Sequence, residues 1–345
     1  MLVSIAAYLG YLVAQLAVLA LGRARELGAD HFSCELTHDG DALCSALVKI
    51  AYGLGEVNAE RARKVRELIQ NKQRKAARKL QRTGHRFDSV RVLGIADPSL
   101  SLSGSTALGS NVDPNEVIAA MRWESGNPWA RFSEWMAGHP LVIHRIAALQ
   151  TSGLPGAPTR WNAEMMIAAA EGPDLVSARR RFWIELPVRY VGWAALLLLI
   201  VMLKAHVHAS QQTLAALVLV AGVTLLVRGM LMNSLREPQP IDRISSLLAR
   251  MDAGPVTGIP VSIRGKITGR GFPGYILSPD LVVTDESGFV TAAYNNPIPF
   301  ARTKFSIANF RQFAEEEVYV EGWYRRTASP FLEISEETSG ASRPG

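Results

Sequence analysis

Twenty consecutive residues without a charge, Leu2 to Leu21, constrain this chain more than any other feature. A run of that length matches the roughly twenty residues a helix needs to cross the hydrocarbon core of a bilayer. The basic residues Arg23 and Arg25 follow the run rather than precede it, so a retained spanning helix over residues 1–22 is expected in place of a cleaved leader. Two further apolar stretches, Val191 to Leu203 and Leu214 to Met232, flank a short polar loop with His206 and His208. They predict a transmembrane hairpin over residues 188–234. Arg179, Arg180, Arg181 and Arg189 precede it and Arg228 and Arg236 lie at its far end, so both outer ends are expected in the cytoplasm. Two histidines in a polar turn read as solvated loop residues rather than metal ligands.

The 345 residues leave room for several domains. Lys and Arg outnumber Asp and Glu by 37 to 31, a balance that fits a membrane surface or nucleic acid without choosing between them. Cys34 and Cys44, ten apart, match no zinc-ligand spacing and read as free thiols. Residues 31–57 carry Leu36, Leu43, Leu47, Ile50 and Leu54 at mostly helical steps, which predicts an amphipathic helix. The basic run from Arg61 to Arg86 lies beside the membrane segments and is expected either to dock on anionic lipid or to stay a solvated connection. Ser99 to Ser110 reads as a loop, and Asp113-Pro114 as the opening of a helix. Residues 151–187 read as a linker.

After Pro255 the texture changes. Val261 to Ile267, Leu281 to Thr284, Phe289 to Tyr294, Val318 to Tyr324 and Phe331 to Ile334 are short β-type runs between turn signals such as Gly269-Arg270-Gly271 and Glu286-Ser-Gly288. Five such strands predict a small barrel of oligonucleotide/oligosaccharide-binding (OB) type over residues 255–336. A disordered tail is expected over 337–345. The fold class is therefore multi-domain: a mainly α membrane portion, a transmembrane hairpin and a small C-terminal β-barrel.

Chemistry concentrates just beyond the first apolar run. In Arg25-Glu26-Leu-Gly-Ala29-Asp30 the two carboxylates are four residues apart, so a helix presents both from one face. One such face could supply a metal ligand and the acid that orients a ligand histidine, as a helical zinc peptidase requires. On spacing alone the favoured reading is an ordinary helix start with its acids on the solvated side.

The stretch Arg25, Glu26, Ala29, Asp30, then Glu35-Leu36-Thr37 and Ala42 to Leu47, resembles the third-ligand region of HtpX-type membrane zinc metallopeptidases, relatives of the CAAX prenyl proteases. The likeness resumes at Trp123, Asn127-Pro128-Trp129 and His139-Pro140 with Arg145-Ile146-x-x-Leu149, and covers about residues 2–150. It implies that 23–150 is the rear portion of a zinc metalloendopeptidase acting on polypeptides at the inner membrane, in membrane-protein quality control. It implies Glu26 as zinc ligand, Asp30 as hydrogen-bond partner of a metal-bound histidine, and His139 as the group that stabilises the oxyanion. Leu27 and Leu141 depart from the family pattern. Some proteins of this kind resemble the C-terminal half too, through Gly269-Arg270-Gly271 and Gly322-Trp323-Tyr324-Arg325-Arg326.

The family's His-Glu-x-x-His is not in the sequence: none of His31, His38, His85, His139, His144, His206 and His208 is followed by Glu. That helix carries two ligands and the general base. The chain alone is expected not to hydrolyse peptides, through either a start placed downstream of the catalytic helix or loss of the chemistry. The alternative function is a non-catalytic membrane scaffold that binds a partner through its barrel. Lipids and polypeptides are the expected partners. Nucleic acid is not, because Trp and Tyr in such a strand more often fill a core.

Overall fold

The computed structural model describes residues 2–49, 51, 106–108, 114–162, 173–204, 210–232, 237–270, 280–294, 304, 317–327, 330–334 and 341–342. The basic run 61–86 and the loop histidines His206 and His208 lie outside them.

Helix α1 (Leu2–Thr37) runs unbroken from the first apolar stretch through the Glu26–Asp30 face. The helix expected over 31–57 is interrupted: His38 adopts φ 53°, and Asp39 caps α2 (Gly40–Val48) by accepting from Ala42 N–H at 2.9 Å. Gly40 is required there, because a Cβ would meet Gly156 O at 2.6 Å. Leu36, assigned to the apolar face by spacing, is exposed at the end of α1.

Helices α3 (Pro114–Gly126), α4 (Pro128–Trp135) and α5 (Val142–Thr151) complete the helical portion. Pro114 and Pro128 stand at first helical positions, where the missing N–H costs nothing. Asn127 caps α4 by accepting from Trp129 N–H at 2.9 Å. Trp123, Trp129, Ile143, Ile146 and Leu149 fill the helical core.

Helix α6 (Pro173–Lys204) begins inside the stretch expected as linker, and α7 (Gln211–Met232) packs along it, Gly192 against Thr224. Both are long and apolar enough to cross a membrane. Only 11% and 6% of their apolar windows are buried in the protein, which a core helix of a water-soluble domain would not tolerate.

The C-terminal portion is a closed five-stranded barrel. Its strands are β3 (Ile259–Arg270), β4 (Leu281–Thr284), β5 (Gly288–Tyr294), β6 (Glu317–Arg325) and β7 (Phe331–Ile334). They follow the order β3-β4-β5-β7-β6 and return to β3. All neighbours are antiparallel except β5–β7. Gly269 and Arg270, expected in a turn, belong to β3, which has a register shift between Ile267 and Gly269 that bends the strand. Short strand β2 (Gln239–Ile241) runs parallel to β3. Asp285 in the β4–β5 turn accepts from Ile244 N–H at 2.7 Å and so caps α8 (Ile244–Leu247).

Two expectations of irregular chain are corrected. Thr106–Leu108, in the Ser/Gly-rich stretch, forms β1 against Gly288–Val290 of β5. The short β7 pairs with β5 only from Ala292 onward, so the first half of β5 has backbone groups that β1 can satisfy. Ala341–Ser342, in the tail, forms β8 beside Tyr319 and Val320 of β6.

Barrel and helices are joined by buried polar contacts. Arg326 lies over Trp123 at 4.4 Å and donates to Ala120 O at 3.1 Å. Asn127 donates to Met251 O at 3.1 Å, and Arg181 to Asp252 O at 2.7 Å. Glu185 on α6 accepts from Trp129 Nε1 at 3.0 Å and from Thr257 N–H at 3.2 Å, linking α4, α6 and the approach to the barrel.

Candidate active site

Glu26 and Asp30 project from one face of α1 toward the segment that runs from the end of α4 into α5. That segment brings His139 and, six residues on, Arg145. Its position is set by Arg23, whose Nη1 donates to Glu134 O at 3.0 Å, Trp135 O at 3.3 Å and Ala137 O at 2.7 Å. These are carbonyls at a helix C-terminus, where partial negative charge gathers and a guanidinium is favoured. One turn of helix separates Arg23 from Glu26, so the contact that docks the α4–α5 turn also sets the height of the carboxylates.

Arg145 grips Asp30 with both arms of its fork: Nε to Oδ2 and Nη2 to Oδ1, each at 2.6 Å. Both side chains are buried. The same Nη2 stands 3.5 Å from Glu26 Oε2, while His139 Nδ1 stands 3.6 Å from Glu26 Oε1. That nitrogen is buried without a hydrogen-bond partner among the described residues, so it is free to bond a group entering beside Glu26. Nearby, Glu134 takes His144 Nδ1 at 2.8 Å and Leu141 N–H at 3.0 Å. Burial works against the Glu134 carboxylate, yet the His144 bond and charge, the Leu141 N–H and Arg23 hold its pKa below the ordinary value. Cys34 and Cys44 are buried free thiols, and burial pushes Cys44 up to about 12.

The structure therefore brings Glu26, Asp30 and His139 into one cluster and adds Arg145. Asp30, the acid expected to orient a metal-bound histidine, is bound among the described residues by Arg145. The sequence reading missed that role, although its signal is present. Arg145 shares the face of α5 with Val142 and Leu149, and an arginine in a core register needs a carboxylate.

Two carboxylates on one helix are met by a histidine and an arginine from the segment closing over them. Residues 2–152 match the family model described as Peptidase family M48, which supports metallopeptidase and hydrolase chemistry for this part of the chain. No curated protein matches, and no solved structure does.

The family implies zinc. Catalytic zinc takes three protein ligands, and among the described residues no three His, Cys, Asp or Glu side chains converge. Glu26 is one carboxylate with a guanidinium beside it. By themselves these residues do not fit a catalytic zinc, and no hydrolytic step follows from them through a metal.

Proposed function

We propose that residues 2–152 form one face of an HtpX-like, membrane-anchored metalloendopeptidase site of the M48 family. In this reading Glu26 is the carboxylate offered to the metal, and Asp30 with Arg145 fixes the helix that carries it. His139 donates to the carbonyl oxygen of a polypeptide substrate as charge develops there. The carrying observation is the Glu26–His139–Arg145–Asp30 cluster, built by α1, the α4–α5 connection and α5 within the M48 match. The His-Glu-x-x-His helix, whose two histidines are ligands and whose Glu is the general base, is not in this sequence and would be supplied from outside it. The apolar α1 and the α6–α7 pair would hold the site at the cytoplasmic membrane face, where membrane-protein quality control is the fitting task. The barrel, with its single parallel β5–β7 pair, is read as OB-type.

The test is metal content and peptidase activity of protein purified from its native membranes, wild type against Glu26→Gln and His139→Ala. With a His-Glu-x-x-His helix supplied from outside this sequence, the assembled site should hold about one zinc in wild type, as a single catalytic site requires, lose it in Glu26→Gln, and keep zinc with reduced cleavage in His139→Ala. Protein that carries no zinc, cleaves nothing and is unchanged by Glu26→Gln would overturn the peptidase reading. The second reading, a non-catalytic scaffold working through the barrel, draws on the lack of a complete ligand set among the described residues. Nucleic acid is not the favoured partner in either, since Tyr324, Arg325 and Arg326 are buried rather than presented to bases.

A further inference from the structure

Two apolar helices mark where charge ends and hydrocarbon-compatible sequence begins, and both marks lie against α4 or the turn that follows it. On α1 the boundary is Arg23, the first charged residue after the apolar run, and its guanidinium holds the carbonyls of Glu134, Trp135 and Ala137. The turn lies close against the helix: a Cβ on Gly22 would come within 2.8 Å of Gly138 O, and Leu19 lies beside Gly138. On α6 the boundary is Arg189–Tyr190, after which no charge occurs until Lys204. Tyr190 packs against Phe132 of α4 at 5.9 Å between ring centroids, with Arg189 over Tyr190 at 5.7 Å and over Trp129 at 6.0 Å.

The end of α4 thus touches boundary residues of both helices, Arg23 at the turn itself and Tyr190 one helical turn earlier, at Phe132. The turn presents Trp135 and Met136, 65% and 56% exposed. An indole beside Arg23, at the charged end of the apolar run of α1, suits the boundary between headgroups and acyl chains, where its apolar body and N–H are both satisfied. Flexible Met136 adds apolar area on the same turn.

We propose that the Trp135–Met136 turn is a lipid anchor that inserts at the bilayer interface and holds the Glu26–His139 face at a fixed height above it. Glu26, three residues past Arg23, then stands about 4.5 Å above the boundary at ~1.5 Å per helical residue. This rests on the membrane placement of α1, α6 and α7, and the occupant of the turn is lipid rather than a protein partner.

The experiment places an environment-sensitive fluorophore on single introduced cysteines of the full chain in nanodiscs containing phosphatidylglycerol. Cys34 and Cys44 are buried and stay unlabelled. Probes go on Trp135→Cys and Met136→Cys, with Leu219→Cys on the exposed flank of α7 as the deep reference and Arg264→Cys on the barrel as the aqueous reference. Expected at 135 and 136 are a blue-shifted emission, greater quenching by a nitroxide near the lipid glycerol than by one near the chain end, and shielding from iodide. The probe at 219 should show the reverse lipid order, and that at 264 quenching by iodide alone. Probes at 135 and 136 that behave like 264 while 219 is lipid-quenched would overturn the anchor and leave the membrane reading standing. Shielding from both iodide and nitroxide would reveal a protein occupant and overturn it as well. Absence of lipid quenching at 219 would overturn the membrane placement and the anchor with it.

Discussion

Arg145→Met separates the roles of the buried pair. It removes the guanidinium and leaves the Asp30 carboxylate between α1 and α5, where Asp30 and Arg145 side chains are only 5% and 8% exposed. Breaking one side of a buried, doubly hydrogen-bonded ion pair costs about 3–5 kcal/mol, most of it from the stranded charge rather than the lost contact. For a cooperative unit of 150–250 residues, each kcal/mol moves Tm by about 2–4 °C, so the expected fall is roughly 6–20 °C. Replacing both residues, as Arg145→Met with Asp30→Leu, removes the stranded charge and should recover most of that loss. The assay is thermal unfolding of the detergent-solubilised chain followed by tryptophan emission, since Trp123, Trp129 and Trp161 sit in the helical core that the pair supports. A single variant within about 2 °C of wild type, below the shift of 1 kcal/mol, would refute the strut reading. So would a double variant as unstable as the single one, because the cost would then not come from an unpaired charge.

Three further outcomes follow from the same geometry. Gly22→Ala should cost about 1–3 kcal/mol, since its methyl meets backbone at Gly138 rather than a side chain that can turn away; a Tm equal to wild type would refute the close approach of α1 and the turn. Neither cysteine should react with an aromatic disulfide reagent at pH 8 in the folded protein, with burial raising both thiols and Cys44 standing at about 12, whereas both should react after unfolding. The Glu134 carboxyl is depressed in the folded state, so its contribution to stability is present above its ordinary value of 4.5 and is lost as pH falls through the lower folded value. Glu134→Gln should therefore flatten the decline of Tm below about pH 4.5, and an unchanged acid slope would count against the Glu134–His144 pairing.

What the sequence made legible was local. The barrel strands are bounded by residues that punctuate chain direction, so β4 and β7 fall on the residues expected and β5 and β6 within one of them. The Glu26–Asp30 face was legible from spacing of four, and His139 only through family likeness. Elements that depend on a distant partner were not. Thr106–Leu108 has no strand signal of its own and pairs because β5 leaves one edge open there. His38 breaks the helix through a left-handed backbone that spacing does not reveal, and the break is held by Asp39 and by Gly156, more than a hundred residues away.

The basic pair Arg325–Arg326 shows why charge in a sequence is a poor guide to surface. Beside Trp323 and Tyr324 it has the composition of a base-stacking strip. In the fold both guanidiniums are buried and find their partners in three different parts of the chain. Arg325 bonds Glu333 and Val256 O, and reaches Met232 O at the end of α7 at 3.0 Å. Arg326 covers Trp123 and bonds Ala120 O of α3. A buried cation without partners would cost more than the barrel's small core can offset, so these residues are compatible with the fold only when barrel, α7 and α3 are assembled together. Glu185 makes the same demand from the opposite side, through Trp129 and Thr257. The barrel and the segment leading into it are therefore tied to α3, α6 and α7. A disturbance at Arg326 would reach α3 directly, through its bond to Ala120 O and its place over Trp123.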